Sequence, residues 1–536
     1  MLEVRRLALN RMSSFRGGKL SLSLSLTSRA ASARPWAAQA IDVFIYNVYF
    51  TSFFLALVFL YVTAFSVAPP RDLIPGILVA SAVAVFPIGT YALMSITIPR
   101  FGGDYVYVGR VLHPLLGFLS SWNWVFWLCF WIGFGAYSFA TVGLSGLLTA
   151  LGLTLQAPPF LELSRWISTP PITFVIGTIV IAGIALLVSI GLSFFLQVQR
   201  WTFSLAVLAT MAMVITLGST SHEAFVARFN EVLGPVLNSA DPYHAVIARV
   251  QGVPLERSSS FRSVLAVIPA AFLVLPWTIG SAFITPELRE VQHSQIRGML
   301  GALLFVSATT VLLGTLLVHV AGPQLLVALA VQDPSGPSLP LRPYFSDLTY
   351  LLLQNPVLLV VSGIGFLCMG WMYMAQNMIN NSRVLLSWAS DGLAPPMLGR
   401  IHPRLRTPVP AIFAVSVVAE AFLGILTFSP ALRLLSSILA LTLSVALVAL
   451  SAAVLPYRRP HLFAASPAGW RLLGVPLLSL LGIGTLVALA MVDGYYLLDV
   501  RYGANSPSSL GFILLGLASG LVYYFIARRR DWGEDR

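Results

Sequence analysis

The run 73-LIPGILVASAVAVFPIGTYALMSITI-98 carries no charged residue. Roughly 18 or more apolar residues in a row are enough to cross a hydrocarbon core as a helix. Within lipid, a helix is the one open-chain structure that satisfies its own backbone. The pattern returns at 172-ITFVIGTIVIAGIALLVSIGLSFFL-196 and, with polar interruptions, along most of the chain. Of 536 residues 57% are hydrophobic and only 10% charged, far short of the charge that covers a water-soluble surface. Twelve spans are expected, over 42–66, 73–97, 118–150, 171–195, 201–220, 263–285, 297–320, 356–381, 408–428, 434–456, 472–493 and 508–527. The prediction is an all-α integral membrane protein.

The net charge of +12 does not mark a nucleic-acid binder. The arginines form no stripe with interleaved aromatics; they fall in short clusters between apolar blocks, as the positive-inside rule produces. In a twelve-span count the basic tail (Arg5, Arg6, Arg11, Arg16, Lys19, Arg29, Arg34) shares one side with the closing Arg528, Arg529 and Arg530. The links holding Arg100 and Arg110, Arg200, Arg289 and Arg297, Arg383 and Arg400, and Arg458 and Arg459 fall there too. The expectation is a multi-pass cell-membrane protein with both termini cytoplasmic. A basic tail over 1–40 precedes a ten-helix core over 41–457; two further helices over 458–528 and a tail over 529–536 follow. Cys129 and Cys368 each lie in an apolar block and read as small packing residues, not a disulfide or metal site. The seven histidines are scattered without ligand spacing, which argues against a membrane-embedded metalloenzyme. No cofactor motif and no repeated filter segment of a channel is visible. The chain reads as a non-enzyme whose partners are a small-molecule substrate and the bilayer.

Irregular backbone at membrane depth survives only where it lines a cavity, and paired interruptions in corresponding spans point to a midplane site. Spans one and six are interrupted. In 46-YNVYFTS-52, Asn47, Tyr49, Thr51 and Ser52 enter an otherwise apolar helix; in 275-LPWTIGSAF-283, Pro276 and Gly280 flank Trp277, Thr278 and Ile279. Proline removes a helical donor and glycine lets backbone bend or approach a ligand. The plainer alternative is a simple kink at Pro276, with the polar side chains of span one bonded to helix carbonyls.

Two stretches are similar to motifs of the amino acid–polyamine–organocation superfamily. In 98-IPRFGGDYVYVGRVLHPLLGFLSSWNW-124, Pro99, Gly102, Gly103, Tyr105, Tyr107, Gly117, Phe118 and Trp122 match a Pro-x-x-Gly-Gly-x-Tyr-x-Tyr run leading into span three. In 382-SRVLLSWASDGLAPPMLGRIHPRLRTPVPA-411, Ser382, Arg383, Asp391, Gly392, Pro395, Thr407 and Pro408 match a Ser-Arg, Asp-Gly-x-x-Pro and Thr-Pro series. Glu287 sits where the family has an acid after span six. The resemblance implies a five-plus-five inverted repeat, over about 41–220 and 263–457, with two extra C-terminal helices. It further implies a substrate site between unwound parts of spans one and six, formed by Asn47, Tyr49, Thr51, Ser52, Trp277, Thr278, Ile279 and Gly280, with Trp277 covering the substrate. The function implied is a secondary active transporter of amino acids or related small organic cations, working by alternating access with proton coupling or exchange. A polyamine or nucleobase as substrate, or ligand sensing without flux, are the alternatives. The sequence departs from the family at span one, where no glycine falls between Gly18 and Gly76, and in having Lys19 as its sole lysine.

Glu420 reads as the carboxylate well inside a span, and an intramembrane acid is a functional candidate by default, here for coupling, with pairing on a scaffold helix as the alternative. Asp104 and His113, in the link after span two, read as solvated loop residues, with a part in gating as the alternative, and Asp391 as a surface anchor.

Overall fold

The computed structural model describes residues 38–248, 260–331, 344–429 and 436–529. The basic tail before residue 38, Arg530 and the closing residues lie outside them. Eleven of the described helices are long and apolar enough to cross a membrane, and a bent helix pair in span one makes the twelfth. The side at which span one begins is called the near side below, and the opposite one the far side.

Span one is Ala40–Phe50 and Phe53–Val67, and span two is Leu73–Thr97. A link helix, Asp104–Val111, lies on the near side before span three, Pro114–Ser138. That span continues through a π-helical turn, Phe139–Leu144, to Thr154. Spans four and five are Pro170–Ile190 and Leu192–Ser219. Span six runs from Phe261 to Glu287 in pieces, and span seven is Val291–Ala321. Spans eight to twelve are Pro356–Ser390, Val409–Phe428, Ile438–Arg458, Leu477–Leu498 and Pro507–Arg529. Prolines open spans three, four, eight and twelve, where the missing N–H removes no helical bond.

Several boundaries differ from the sequence reading, among them these three. Gly191, at φ 131°, breaks span four from span five, so span five begins at Leu192 and takes Arg200 into its third turn. Span eight runs to Ser390, which places Arg383 within the helix, not in a link. Span eleven runs five residues past Asp493, its expected end, to Leu498, which sets that acid within the helix. In each case a charged or small residue marked an end in the sequence while the backbone hydrogen bonding continued past it or restarted nearby.

Span five lies along span eight, span seven along spans one and two, and span ten along span eleven. With lipid on the outside, helices associate through close approach of small residues. A Cβ on Gly482 would stand 2.5 Å from the carbonyl oxygen of Ala449. Neither cysteine is bonded to the other.

Candidate functional site

Span one unwinds at Thr51 and Ser52. The Thr51 hydroxyl donates to the Val48 carbonyl (2.7 Å) and the Ser52 amide to Tyr49 O (2.9 Å). Ser52 then takes a left-handed conformation, φ 52°, as N-cap of Phe53–Val67. Glycine is the usual residue there, and a serine costs about 1 kcal/mol. Span six unwinds after Ala271 through two short 3₁₀ segments, Leu275–Trp277 and Gly280–Glu287. Trp277 Nε1 donates to Phe272 O (2.9 Å), satisfying a carbonyl that the break releases. A Cβ on Gly280 would stand 2.5 Å from the Phe50 ring, so this glycine is what lets the two broken spans touch.

A cavity of about 290 Å³ lies against both breaks and extends towards the far side as far as Thr63, Ser437 and Tyr502. Thr51, Ser52 and Trp277 line it, together with Phe50, Trp124, Trp131, Phe134, Tyr373 and Asn377. Among the described residues, no charged side chain and no histidine lines it. Trp124 meets Trp277 edge-on, with ring centroids 6.0 Å apart. Ser52 Oγ and both polar atoms of Asn377 are buried without a hydrogen-bond partner. Such groups carry a desolvation cost unless a ligand or water engages them.

The other residues named from sequence stand behind this surface. Asn47 is fully buried: its Nδ2 donates to Ser281 Oγ (3.0 Å) and its Oδ1 accepts from the Ser281 amide (3.0 Å). Ser281 in turn donates to Gln295 Oε1 of span seven (2.6 Å). The Tyr49 hydroxyl donates to Thr202 Oγ1 on span five (3.0 Å). Thr278, Ile279 and Gly280 are buried at the break and do not line the cavity. Glu420, on span nine, accepts a hydrogen bond from Thr178 on span four and is likewise absent from the lining.

Polar contacts close the near side below the breaks. Asp42, 1% exposed, accepts from Arg200 Nε (2.6 Å) and Nη2 (2.8 Å), and Gln199 donates to its carbonyl (3.0 Å). Tyr46 donates to Asn380 Oδ1 (2.7 Å). Arg383 and Glu287 pair at 3.1 Å, so two residues singled out in separate motifs meet. The motifs also meet where Tyr105 donates to Asp391 Oδ2 (2.6 Å). Asp391 is thus tied to the link helix as well as lying at the surface.

Asp104 corrects the loop reading. Its carboxylate is wholly buried and accepts from the Tyr91 hydroxyl (2.9 Å), Ser120 Oγ (3.1 Å) and Trp124 Nε1 (2.7 Å). The positive φ of Gly102 and Gly103 turns the chain inward there. His113 does lie at the surface, capping span three by accepting from Leu115 N (3.2 Å). Sequence reasoning also missed Tyr373 and Asn377. The signal was the run 376-QNMINN-381, four amides in one membrane helix, each expensive to bury unless it has a partner.

No curated protein matches the chain. The family model described as amino acid permease matches residues 41–505, which takes in both broken spans, the cavity and the near-side contacts. The chain therefore belongs to the amino acid permease family of the amino acid–polyamine–organocation superfamily, a multi-pass membrane transporter of amino acids and not an enzyme.

Proposed function

We propose that the chain is a secondary active transporter that moves one amino acid per cycle by alternating access, bound in the cavity between spans one and six. Thr51, Ser52 and Trp277 from the broken spans, with Tyr373 and Asn377 from span eight, are its contacts in this reading. The observation that carries it is the asymmetry of the site. The cavity extends from the breaks to the far side, while Asp42–Arg200, Tyr46–Asn380, Asn47–Ser281 and Glu287–Arg383 close the near side. The first amides of Phe53–Val67 have no partner within their helix, which favours a carboxylate at that end. The carbonyl end of Phe261–Ala271 favours an ammonium.

Among the described residues the lining has aromatic rings and uncharged polar groups but no carboxylate. That supports an amino acid with an apolar or aromatic side chain over a cationic one or a polyamine. A compact neutral base such as a nucleobase is the second reading, favoured by Trp124, Trp131 and Trp277 around one small space. The near side, where Arg100, Arg110, Arg400, Arg404, Arg406, Arg458 and Arg459 gather, is the cytoplasmic one by the positive-inside rule. The conformation is then outward-facing.

The test is uptake of labelled amino acids, polyamines and nucleobases into proteoliposomes under a proton gradient, a sodium gradient or internal counter-substrate. Saturable uptake of a neutral amino acid, with KM raised in Trp277→Ala and Asn377→Ala, is expected. Uptake confined to putrescine or arginine would refute the substrate assignment, and binding without flux under every condition would refute transport.

A further inference from the structure

The group least explained by the substrate site is the carboxylate of Asp104. It is 0% exposed, and among the described residues no arginine, lysine or histidine forms an ion pair with it. Its neighbours come from four elements. Span two presents the Tyr91 hydroxyl, and span three presents Ser120 and Trp124 Nε1, all as donors. The link helix adds Tyr107, whose hydroxyl donates past it to Ala282 O on span six (3.2 Å). Span ten, packed on the link helix, presents Ser444, bonded to Ser120 O (3.2 Å), and its C-cap Arg459 donates to Arg110 O at the other end of that helix (3.2 Å). Of the charged residues around this region, Glu287 pairs with Arg383, and Arg110 stands at the opposite end of the link helix.

The cluster leans on the piece of span six that follows the break. A Cβ on Gly103 would stand 2.8 Å from the Phe283 ring. Trp124 meets Phe283 at 5.6 Å and Trp277 at 6.0 Å between centroids, and it lines the cavity. One indole therefore holds the carboxylate at its N–H and forms the wall of the substrate site with its ring.

We propose that Asp104 binds the proton that is coupled to transport, and that Trp124 relays its protonation state to the broken sixth span. This rests on the transport reading and adds the identity of the coupled ion and of its carrier. The step is an acid–base exchange. A proton from the aqueous side forms an O–H bond on the carboxylate, and the Tyr91 hydroxyl turns from donor to acceptor. Deprotonation reverses both changes. The Trp124 N–H can only donate, so it binds the carboxylate more tightly than the acid and is released towards the cavity when the proton arrives. Burial pushes the Asp104 carboxyl up to about 7, against the lowering effect of the Tyr91, Trp124 and Ser120 donors. Its occupancy therefore changes near neutral pH.

The test compares native protein and Asp104→Asn in proteoliposomes, measuring proton-driven accumulation and counterflow exchange side by side. The expected result is that Asp104→Asn exchanges substrate but no longer accumulates it, since the amide imitates the protonated acid. Accumulation retained in Asp104→Asn overturns the proposal. So does a native protein that exchanges but never accumulates with protons, an outcome that leaves the transport reading standing; absence of exchange in the native protein sinks that reading instead. Ser120→Ala provides a second arm, because it removes one donor to the charged form and Ser120 does not itself line the cavity. Its pH midpoint for proton-driven uptake should rise by about one unit; an unmoved midpoint refutes the assignment even if Asp104→Asn does not fold. Thermal unfolding supplies a readout free of transport. A carboxyl raised from 3.8 to about 7 favours the folded state when protonated, so its contribution is lost as pH climbs through that window. Native melting temperature should fall between pH 5 and 8 relative to Asp104→Asn, and parallel curves would count against the proposal.

Discussion

Asn47→Ala tests whether the polar residue of span one is a ligand contact or a tie between broken helices. The substitution removes the bond from Nδ2 to Ser281 Oγ and strands the Ser281 amide that donated to Oδ1. A net hydrogen bond contributes about 1 kcal/mol, and an orphaned buried donor costs about 1–3 kcal/mol. Interhelical bonds in membrane proteins fall nearer the low end, at ~0.6 kcal/mol each. The expected loss is therefore about 2 kcal/mol, seen as a fall of a few degrees in melting temperature in detergent. Ser281→Ala keeps its backbone amide, and so keeps one of the two bonds to Asn47 while losing those of its hydroxyl to Asn47 and Gln295. The two substitutions share the Nδ2 to Oγ bond, so the double mutant should lose less than the sum of the singles, by about 0.5–1.5 kcal/mol. Because Asn47 does not line the cavity, the substrate KM should stay within about two-fold while the maximal rate falls, the pattern of an interaction that does not bind substrate. Strict additivity of the melting shifts, or a large rise in KM with an unchanged rate, would refute the tie.

Gly280→Ala should destabilise by about 1–3 kcal/mol through collision with Phe50, and adding Phe50→Leu should recover part of the loss in a thermal-shift assay. Ser52→Gly should raise the melting temperature by the equivalent of up to about 1 kcal/mol, because glycine holds φ 52° without strain; an unchanged or lower value would mean that the Ser52 side chain contributes more than its conformation costs. Glu420→Gln retains an oxygen for the Thr178 hydroxyl and should leave proton-driven uptake within about two-fold of native, whereas its loss would restore Glu420 as a coupling residue.

Much of this architecture is legible along the chain. Uninterrupted apolar runs gave the spans, and the two interruptions, 46-YNVYFTS-52 and 275-LPWTIGSAF-283, lie where the helices break. What the string could not convey is which way each polar residue of a break points. Thr51 and Ser52 face the cavity, while Asn47 and Tyr49, one turn earlier, face spans six and five. The shortage of glycine in span one proved no obstacle to unwinding, since Ser52 adopts the left-handed conformation itself. Asp104 looked solvated because it sits in a link beside two glycines. It is buried because those glycines fold the link under spans two and three, a consequence of tertiary packing that neither charge nor hydropathy encodes. Arg200 looked like a span boundary for the converse reason: a long side chain reaches from within a helix to Asp42.

Among the described residues three tryptophans line the cavity, and their indoles report on their surroundings. A substrate that enters displaces solvent from beside Trp124, Trp131 and Trp277, so occupancy should change the intrinsic emission of unlabelled protein. Trp277→Phe and Trp131→Phe would divide that signal between the two sides of the cavity. Binding then becomes measurable in detergent, with no radiolabel, no lipid vesicle and no ion gradient.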